Sequence, residues 1–220
     1  MPELVTKAKI SYESESKAFH SFSTNSLPSI ILASKSIIRK QQLIDEGIPF
    51  EVIVSNADET PDNSKSFKNK LAEISMRKAK TVFEMTKDRG LRLIIAADQN
   101  IVFNGNMYGK PKSIAEARNL LIQMRGSEEV YAYTGNSVLL AENDRILQSI
   151  NITDTARLSI DNISDKEMDN YLSDGTCLSF CGGISLNSAS FVHLKEGRLS
   201  TAKGMTLEYA MEIMSNLEKY

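Results

Sequence analysis

The stretch that decides how this chain is read is Ile30-Ile31-Leu32-Ala33-Ser34-Lys35-Ser36-Ile37-Ile38-Arg39-Lys40. Its first four residues are apolar and mostly β-branched or γ-branched, which predicts a buried strand. Ser34 and Ser36 follow as N-cap candidates. Ile37, Ile38, Gln41, Leu43 and Ile44 then predict a helix that Gly47 ends. A strand running through a serine-rich turn into a helix aims backbone N–H groups and hydroxyls at one spot, where the helix dipole favours an anion. Lys35, Arg39 and Lys40 add positive charge, and Arg39 lies about one turn past the serines, able to reach back over them. The same pattern also suits an ordinary capped helix with a solvated basic face, because the glycines of a phosphate-cradling loop are absent.

Working outward, Phe50 to Val54 predicts a second strand and Lys68 to Thr86 a helix whose apolar side is Leu71, Ile74, Ala79, Val82 and Phe83. Leu91 to Ala97 predicts a buried strand that stops at Asp98. Asn104-Gly105, between Ile101-Val102-Phe103 and Met107-Tyr108, is a hairpin signal because both residues tolerate positive φ. Pro111 holds Lys110 extended. Ser113 and Glu116 predict a capping box opening a helix to Met124. Strands are expected over Tyr131 to Leu140 and Ile146 to Ile160, with a turn near Glu142-Asn143-Asp144. A second capping box at Ser164 and Glu167 opens a helix closed by Gly175, and a last helix spans Thr206 to Leu217. Strands alternate with helices early and a β-meander follows. The fold class is therefore α/β: a single domain over residues 28–220, with a mixed, twisted sheet, flanking helices and two lobes around a cleft.

Bulk properties narrow the partners. A net charge of -2 on 220 residues gives no electrostatic ground for a nucleic-acid backbone or an anionic membrane as partner, so any polyanion must find a local basic pocket. No apolar run approaches the roughly 20 residues that span a bilayer. Residues 1–27 are polar and lack a secretory h-region, and are expected to be a disordered extension. Cys177 and Cys181 support neither a disulfide framework nor a zinc site, which fits a reducing, cytoplasmic setting. They, together with His20 and His193, read as structural. Asp58-Glu59 after the second strand and Asp98 at the end of Arg92 to Ala97 stand where open α/β sheets place ligands, and such carboxylates can share Mg²⁺. Each taken singly reads more readily as a turn or capping acid. Lys78 and Lys110 suit surface lysines or phosphate ligands.

Taken in order, LASKSIIRKQQLIDEGIPFEVIVSNADE, LAEISMRKAK and AADQNIVFNGNMYGKPKSIAEARNLL resemble the Maf family of nucleoside triphosphate pyrophosphatases, over Ile30 to Leu217. The resemblance implies a Maf/ITPase-like fold, a homodimer, a divalent cation (Mg²⁺ or Mn²⁺) and hydrolysis of a nucleoside triphosphate to the monophosphate and pyrophosphate. By position it implies that Asp98 is the proton acceptor, or an indirect activator of the water. Glu59 and Asp98 would hold the metal. Arg39, Lys78 and Lys110 would hold the triphosphate, with Ser34, Ser36 and the turn amides beside them. Gln99 stands where the branch acting on 7-methyl-GTP carries glutamine, which implies a non-standard or modified purine triphosphate. Ile37 and Ile38 replace residues that in the family often include proline and a second basic or aromatic residue. LSFCGGISLNSASF replaces the late glycine-rich segment, with Ile184 or Ser185 at its polar position, and AKGMT replaces the closing Val-Val-Gly-Leu-Pro. Ile38 and Ile184 are thus expected on the substrate side. The altered segment Cys177 to Phe191 also admits a catalytically weak nucleotide-binding regulator of cell division.

Overall fold

The apolar run Ile30–Ala33 and the long run Arg92–Ala97 pair side by side at the centre of the molecule. In the computed structural model, which describes residues 27–217, β1 (Ser29–Leu32) lies parallel to β3 (Arg92–Phe103), with Leu32 opposite Ile95. The expected N-terminal extension, apart from Leu27, and His20 within it lie outside the described residues. A seven-stranded mixed sheet runs β2 (Glu51–Val52), β1, β3, β5 (Val130–Glu142), β6 (Arg145–Ile160), β7 (Val192–Glu196), with β4 (Asn106–Tyr108) hairpinned onto β3. Asn104 and Gly105 turn that hairpin at φ 46° and 72°, as the Asn-Gly pair predicts.

Alternation along the strands sorts the core. Ile31, Ala33, Ile94, Ala96, Leu139 and Ala141 face α2 (Phe67–Met85), where Ala79, Val82 and Phe83 meet them. Ile30, Leu32, Leu93, Ile95, Val138 and Leu140 face the other way, onto α1 (Ile37–Asp45) and α6 (Glu208–Leu217). A third cluster fills the far half of the molecule. There Ile101, Phe103, Ala132, Leu158 and Ile160 pack on α3 (Ile114–Met124) and α4 (Asp165–Leu172). Full burial of each large aliphatic or aromatic side chain contributes about 1.5–3 kcal/mol before chain entropy is subtracted. The polar stretch Asp98-Gln99-Asn100 falls between these cores on β3.

One glycine sets the distance between α2 and the sheet. A Cβ on Gly135 would lie 2.3 Å from the Leu71 carbonyl carbon and oxygen, so only glycine lets the helix backbone rest on β5 here. Nearby, Ser75 and Ser137 hydroxyls hydrogen-bond at 2.8 Å across the same contact. Gly135 is also the register partner of Asp98, so this close approach brings the next turns of α2 to the middle of β3.

Several expectations need correction. Strand β3 continues through Asp98 to Phe103 and does not stop there. The polar residues that looked like a strand end mark a place where the neighbouring strand ends instead. The second strand shrinks from Phe50–Val54 to two residues, because it pairs with β1 alone. At Ser113 the hydroxyl accepts from the Glu116 amide, but the Glu116 carboxylate takes the Lys112 amide and leaves the reciprocal box unformed. The box at Ser164 and Glu167 is complete. The last helix starts at Glu208, not Thr206, since the Thr206 amide and hydroxyl are both tied to Asn136. Not foreseen were the short helix α5 (Leu199–Ala202) and two 3₁₀ turns, Thr176–Ser179 and Cys181–Gly183.

Candidate functional site

Pairing of β3 with β1 ends at Ile95, and pairing with β4 begins at Ile101. Between them the edge of β3 is uncovered, and a cavity of about 180 Å³, open to solvent, lies beside it. It opens where a parallel strand gives way to an antiparallel one, beyond the carboxyl end of β1, which is where α/β sheets take ligands.

The β1–α1 turn forms one wall. Ser34 Oγ, almost fully buried, accepts hydrogen bonds from the Ser36 amide at 3.2 Å and from Arg39 Nη1 at 3.1 Å. Ser36 is the N-cap and accepts from the Arg39 amide at 3.5 Å. Arg39 thus reaches back over the serines, as its spacing predicts. Among the described residues, no hydrogen bond to the amides of Lys35, Ile37 or Ile38 is seen. Those of Ile37 and Ile38 are orphan donors of the helix N-terminus, and Lys35 precedes its N-cap. Burial pushes the Arg39 guanidinium down from its ordinary range, opposed by the nearby charges of Asp98 and Glu59.

The second wall is α2 with β3. Lys78 Nζ lies 2.7 Å from Asp98 Oδ1 and 3.1 Å from Glu59 Oε1. The Lys78 side chain is 9% exposed, Asp98 16% and Glu59 60%, so the cluster grades from the sheet out to solvent. Asp98 faces α2 because even positions of β3 point that way; Gln99, one residue on, points to the opposite face. There its Nε2 donates to Thr134 Oγ1 at 3.0 Å, Thr201 O at 3.0 Å and Ala202 O at 3.2 Å. Gln99 still lines the cavity, but its amide nitrogen is committed to the chain around α5.

That chain forms the third wall. Arg39 Nε donates to Gly204 O at 2.7 Å, and Gln42 Nε2 donates to Ser200 O and Met205 O at 3.1 and 3.0 Å. The fourth wall is the irregular segment after the first 3₁₀ turn. Cys181 Sγ–H donates to the Gln99 carbonyl at 2.8 Å, which satisfies part of the open β3 edge, and the Gly182 amide donates to Gly109 O, just past β4, at 2.8 Å. Burial raises the Cys181 thiol to about 11 despite Arg39, Lys110 and Lys78 nearby. The thiol is a neutral donor, not a nucleophile.

Most of the site residues singled out in the sequence line this one cavity: Ser34, Ser36, Ile38 and Arg39 on the turn; Glu59, Lys78, Asp98 and Gln99 at the acidic cluster; Lys110 and Ile184 beyond it. Lys40 does not, nor does Asp58, which pairs with Arg77 at 3.6 Å. Lys110 is exposed, and Ile184 is 6% exposed with its side chain packed in the far core, while Ser185 beside it is the more open residue. Ile37 does not line it; its side chain is 75% exposed. His193 pairs with Asp161 at 2.9 Å on β7, and neither lines the cavity. Sequence reasoning missed Asn56, Cys181 and Lys203, which also line the wall. Lys203 stands directly before Gly204 at φ 102°, and a lysine followed by a helix-ending glycine was the available signal.

Glu59 and Asp98 meet the donor chemistry of a hard divalent cation, which takes one or two carboxylates and completes its shell with water and phosphate oxygens. No cluster of three or more His, Cys, Asp or Glu side chains occurs among the described residues, so a cation held here depends on ligand oxygens for the rest. No helix of the described residues is long and apolar enough to cross a membrane.

The fold and cavity can be set beside known proteins. A nucleoside triphosphate pyrophosphatase of Synechococcus sp. is 31% identical over 193 residues, spanning 87% of this chain and 95% of that protein. A dTTP/UTP pyrophosphatase of Thermotoga petrophila is 32% identical over 184 residues, spanning 81% and 84%. Among solved structures, the Staphylococcus aureus Ham1 protein covers 86% of this chain and 98% of its own at TM-score 0.43 and 14% identity, a likeness too loose to carry an argument. Residues 29–217, from the first strand to the end of the last helix, match the model of the family described as Maf-like protein, and the chain belongs to that family.

Proposed function

We propose that this chain hydrolyses a nucleoside triphosphate to the nucleoside monophosphate and pyrophosphate. The observation that carries the reading is the cluster of Lys78 with Asp98 at 2.7 Å and Glu59 at 3.1 Å, beside the Ser34–Arg39 turn in one cavity. Relatives 31% and 32% identical bear pyrophosphatase names, which agrees with it.

In the reaction a water oxygen bonds to the α-phosphorus. The bond from that phosphorus to the oxygen bridging to the β-phosphate breaks, and pyrophosphate leaves with the electron pair. Asp98 orients the water and takes its proton, directly or through a second water. Lys78 engages only Oδ1, and the second carboxylate oxygen remains an acceptor. Arg39, Lys110 and the unpaired turn amides hold the phosphate oxygens, and Lys78 lies beside them. Donors fixed in advance where charge spreads are the main catalytic term in phosphoryl transfer. A divalent cation held by Glu59 and Asp98 would supply further neutralisation of the phosphates.

The finer expectation, a non-standard or modified purine triphosphate such as 7-methyl-GTP, rests on Gln99. With Nε2 tied down, only its oxygen can meet a base, and that oxygen selects a base presenting an N–H. Natural, methylated and deaminated triphosphates assayed for pyrophosphate release with Mg²⁺ or Mn²⁺ test both levels. Release that vanishes in Asp98→Asn supports the activity; no release from any of them with either metal sinks it. A preference for dTTP or UTP removes the purine inference alone.

A further inference from the structure

Five basic side chains line the cavity against two carboxylates, and one of the five, Lys203, plays no part in the site as described so far. Lys203 is half-buried on the wall formed by the chain after α5. Among the described residues its ammonium meets no carboxylate, whereas Lys78 meets two. An unpaired lysine on an open surface is simply solvated. This one shares a cavity with Lys35, Arg39 and Lys110, where basic side chains outnumber the carboxylates five to two, a balance that suits an anionic ligand.

Its backbone is held in place. Ser200, Thr201, Ala202, Gly204 and Met205 all give their carbonyls to side chains of the sheet or α1: Gln42 to Ser200 and Met205, Gln99 to Thr201 and Ala202, Arg39 to Gly204. Thr134 Oγ1 adds a bond to Thr201 O at 2.9 Å. Gly204 follows at φ 102°, where a Cβ would stand 3.1 Å from Gln99 Oε1, so the turn beyond Lys203 admits no larger residue without strain. Arg39, which reads the phosphate side of the site, therefore also fixes the residue next to Lys203. A preorganised cation loses less entropy on meeting its ligand than one on a free loop.

We propose that Lys203 binds the polyphosphate of the substrate from the Gln99 side of β3, while Lys78 acts from the α2 side. The inference rests on the nucleotide-hydrolysis reading above for its ligand. It is tested on the full chain by calorimetric binding of inorganic tripolyphosphate with Mg²⁺, in wild type, Lys203→Ala and Lys203→Arg. A lost charge-assisted contact should weaken Kd about 5- to 30-fold in Lys203→Ala, with Lys203→Arg recovering most of it and the urea midpoints unchanged. With a nucleotide that is turned over, KM should rise by a similar factor and kcat should fall less. Equal Kd values for wild type and Lys203→Ala, or no tripolyphosphate binding by wild type, overturn the proposal. Lys203-dependent binding with no pyrophosphate release from any nucleotide would instead overturn the hydrolysis reading and leave Lys203 in an anion site.

Discussion

The walls of the cavity are built by two different strategies. The turn between β1 and α1 is made by near neighbours: Ser34, Ser36 and Arg39 bond one another within a span of five residues. The wall opposite has no such local logic. Cys181 reaches Gln99 across 82 positions, Gln99 reaches Ala202 across 103, and Arg39 reaches Gly204 across 165. The front wall can form as soon as its helix does. The back wall exists only once the sheet is assembled, and side chains of the front wall and sheet hold part of it in place. The anion donors of the turn therefore sit on the self-sufficient wall, whereas the Lys78–Asp98 pair joins residues 20 positions apart and needs α2 seated on the sheet.

The largest test of that division is Asp98→Asn. Removing the carboxylate proposed to accept the proton should cut kcat by about 10²–10⁴-fold while polyphosphate binding survives, as read by steady-state kinetics beside calorimetry. Comparable kcat values would move the chemistry off the Lys78–Asp98 pair. Gly135→Ala comes next. The added Cβ meets Leu71 backbone at 2.3 Å, so α2 must lift away from β5, carrying Lys78 from Asp98. A loss of about 2–3 kcal/mol in urea denaturation is expected, with activity falling further than stability alone accounts for. An unchanged urea midpoint would show that the close approach is not needed.

The back wall is probed by its thiol. With its pKa raised from 9.0 to about 11, Cys181 holds about a hundredth of the thiolate of an ordinary cysteine at neutral pH. In a Cys177→Ala background, iodoacetamide should label it about 100-fold more slowly than the urea-unfolded chain, the rate climbing as pH rises toward 11. The sign for stability agrees: between pH 9 and about 11 the unfolded thiol ionises before the folded one, so stability falls as pH rises through that window. Labelling at the unfolded rate at pH 8 would mean that the wall is open. The smallest effect is expected from Gln99→Ala, which frees one of several anchors on the chain after α5. About 1 kcal/mol of stability should go, with a larger rise in KM for the nucleotide than for tripolyphosphate if its oxygen also meets the base. Equal changes in both would limit Gln99 to holding that chain.

Legibility followed the same division. Ile30–Ala33, the two serines and Gly47 announced strand, turn and helix end because each signal lies within one turn of what it controls. Asp98, which lines the cavity, was singled out for an imperfect reason. The break in the apolar run at Asp98-Gln99-Asn100 suggested a strand end, whereas β3 continues and its neighbour β1 stops. Which strand is shorter cannot be read from either one alone. The Thr206 start of the last helix failed likewise, through bonds to Asn136, 70 positions away.

By itself the amino-acid sequence determined the order of strands and helices as far as α4, and the last helix, together with the caps at Ser36 and Ser164, the Asn104-Gly105 hairpin and the residue types of a candidate anion site. Those depend on backbone preferences and on side chains a few positions apart. Tertiary structure alone decided that Gly135 brings Lys78 onto Asp98, that Gln99 turns away from Asp98 to hold the chain after α5, and that Lys203 faces the same cavity. Each depends on which strands lie adjacent and how closely a helix rests on them, and that is fixed by packing across the whole sheet.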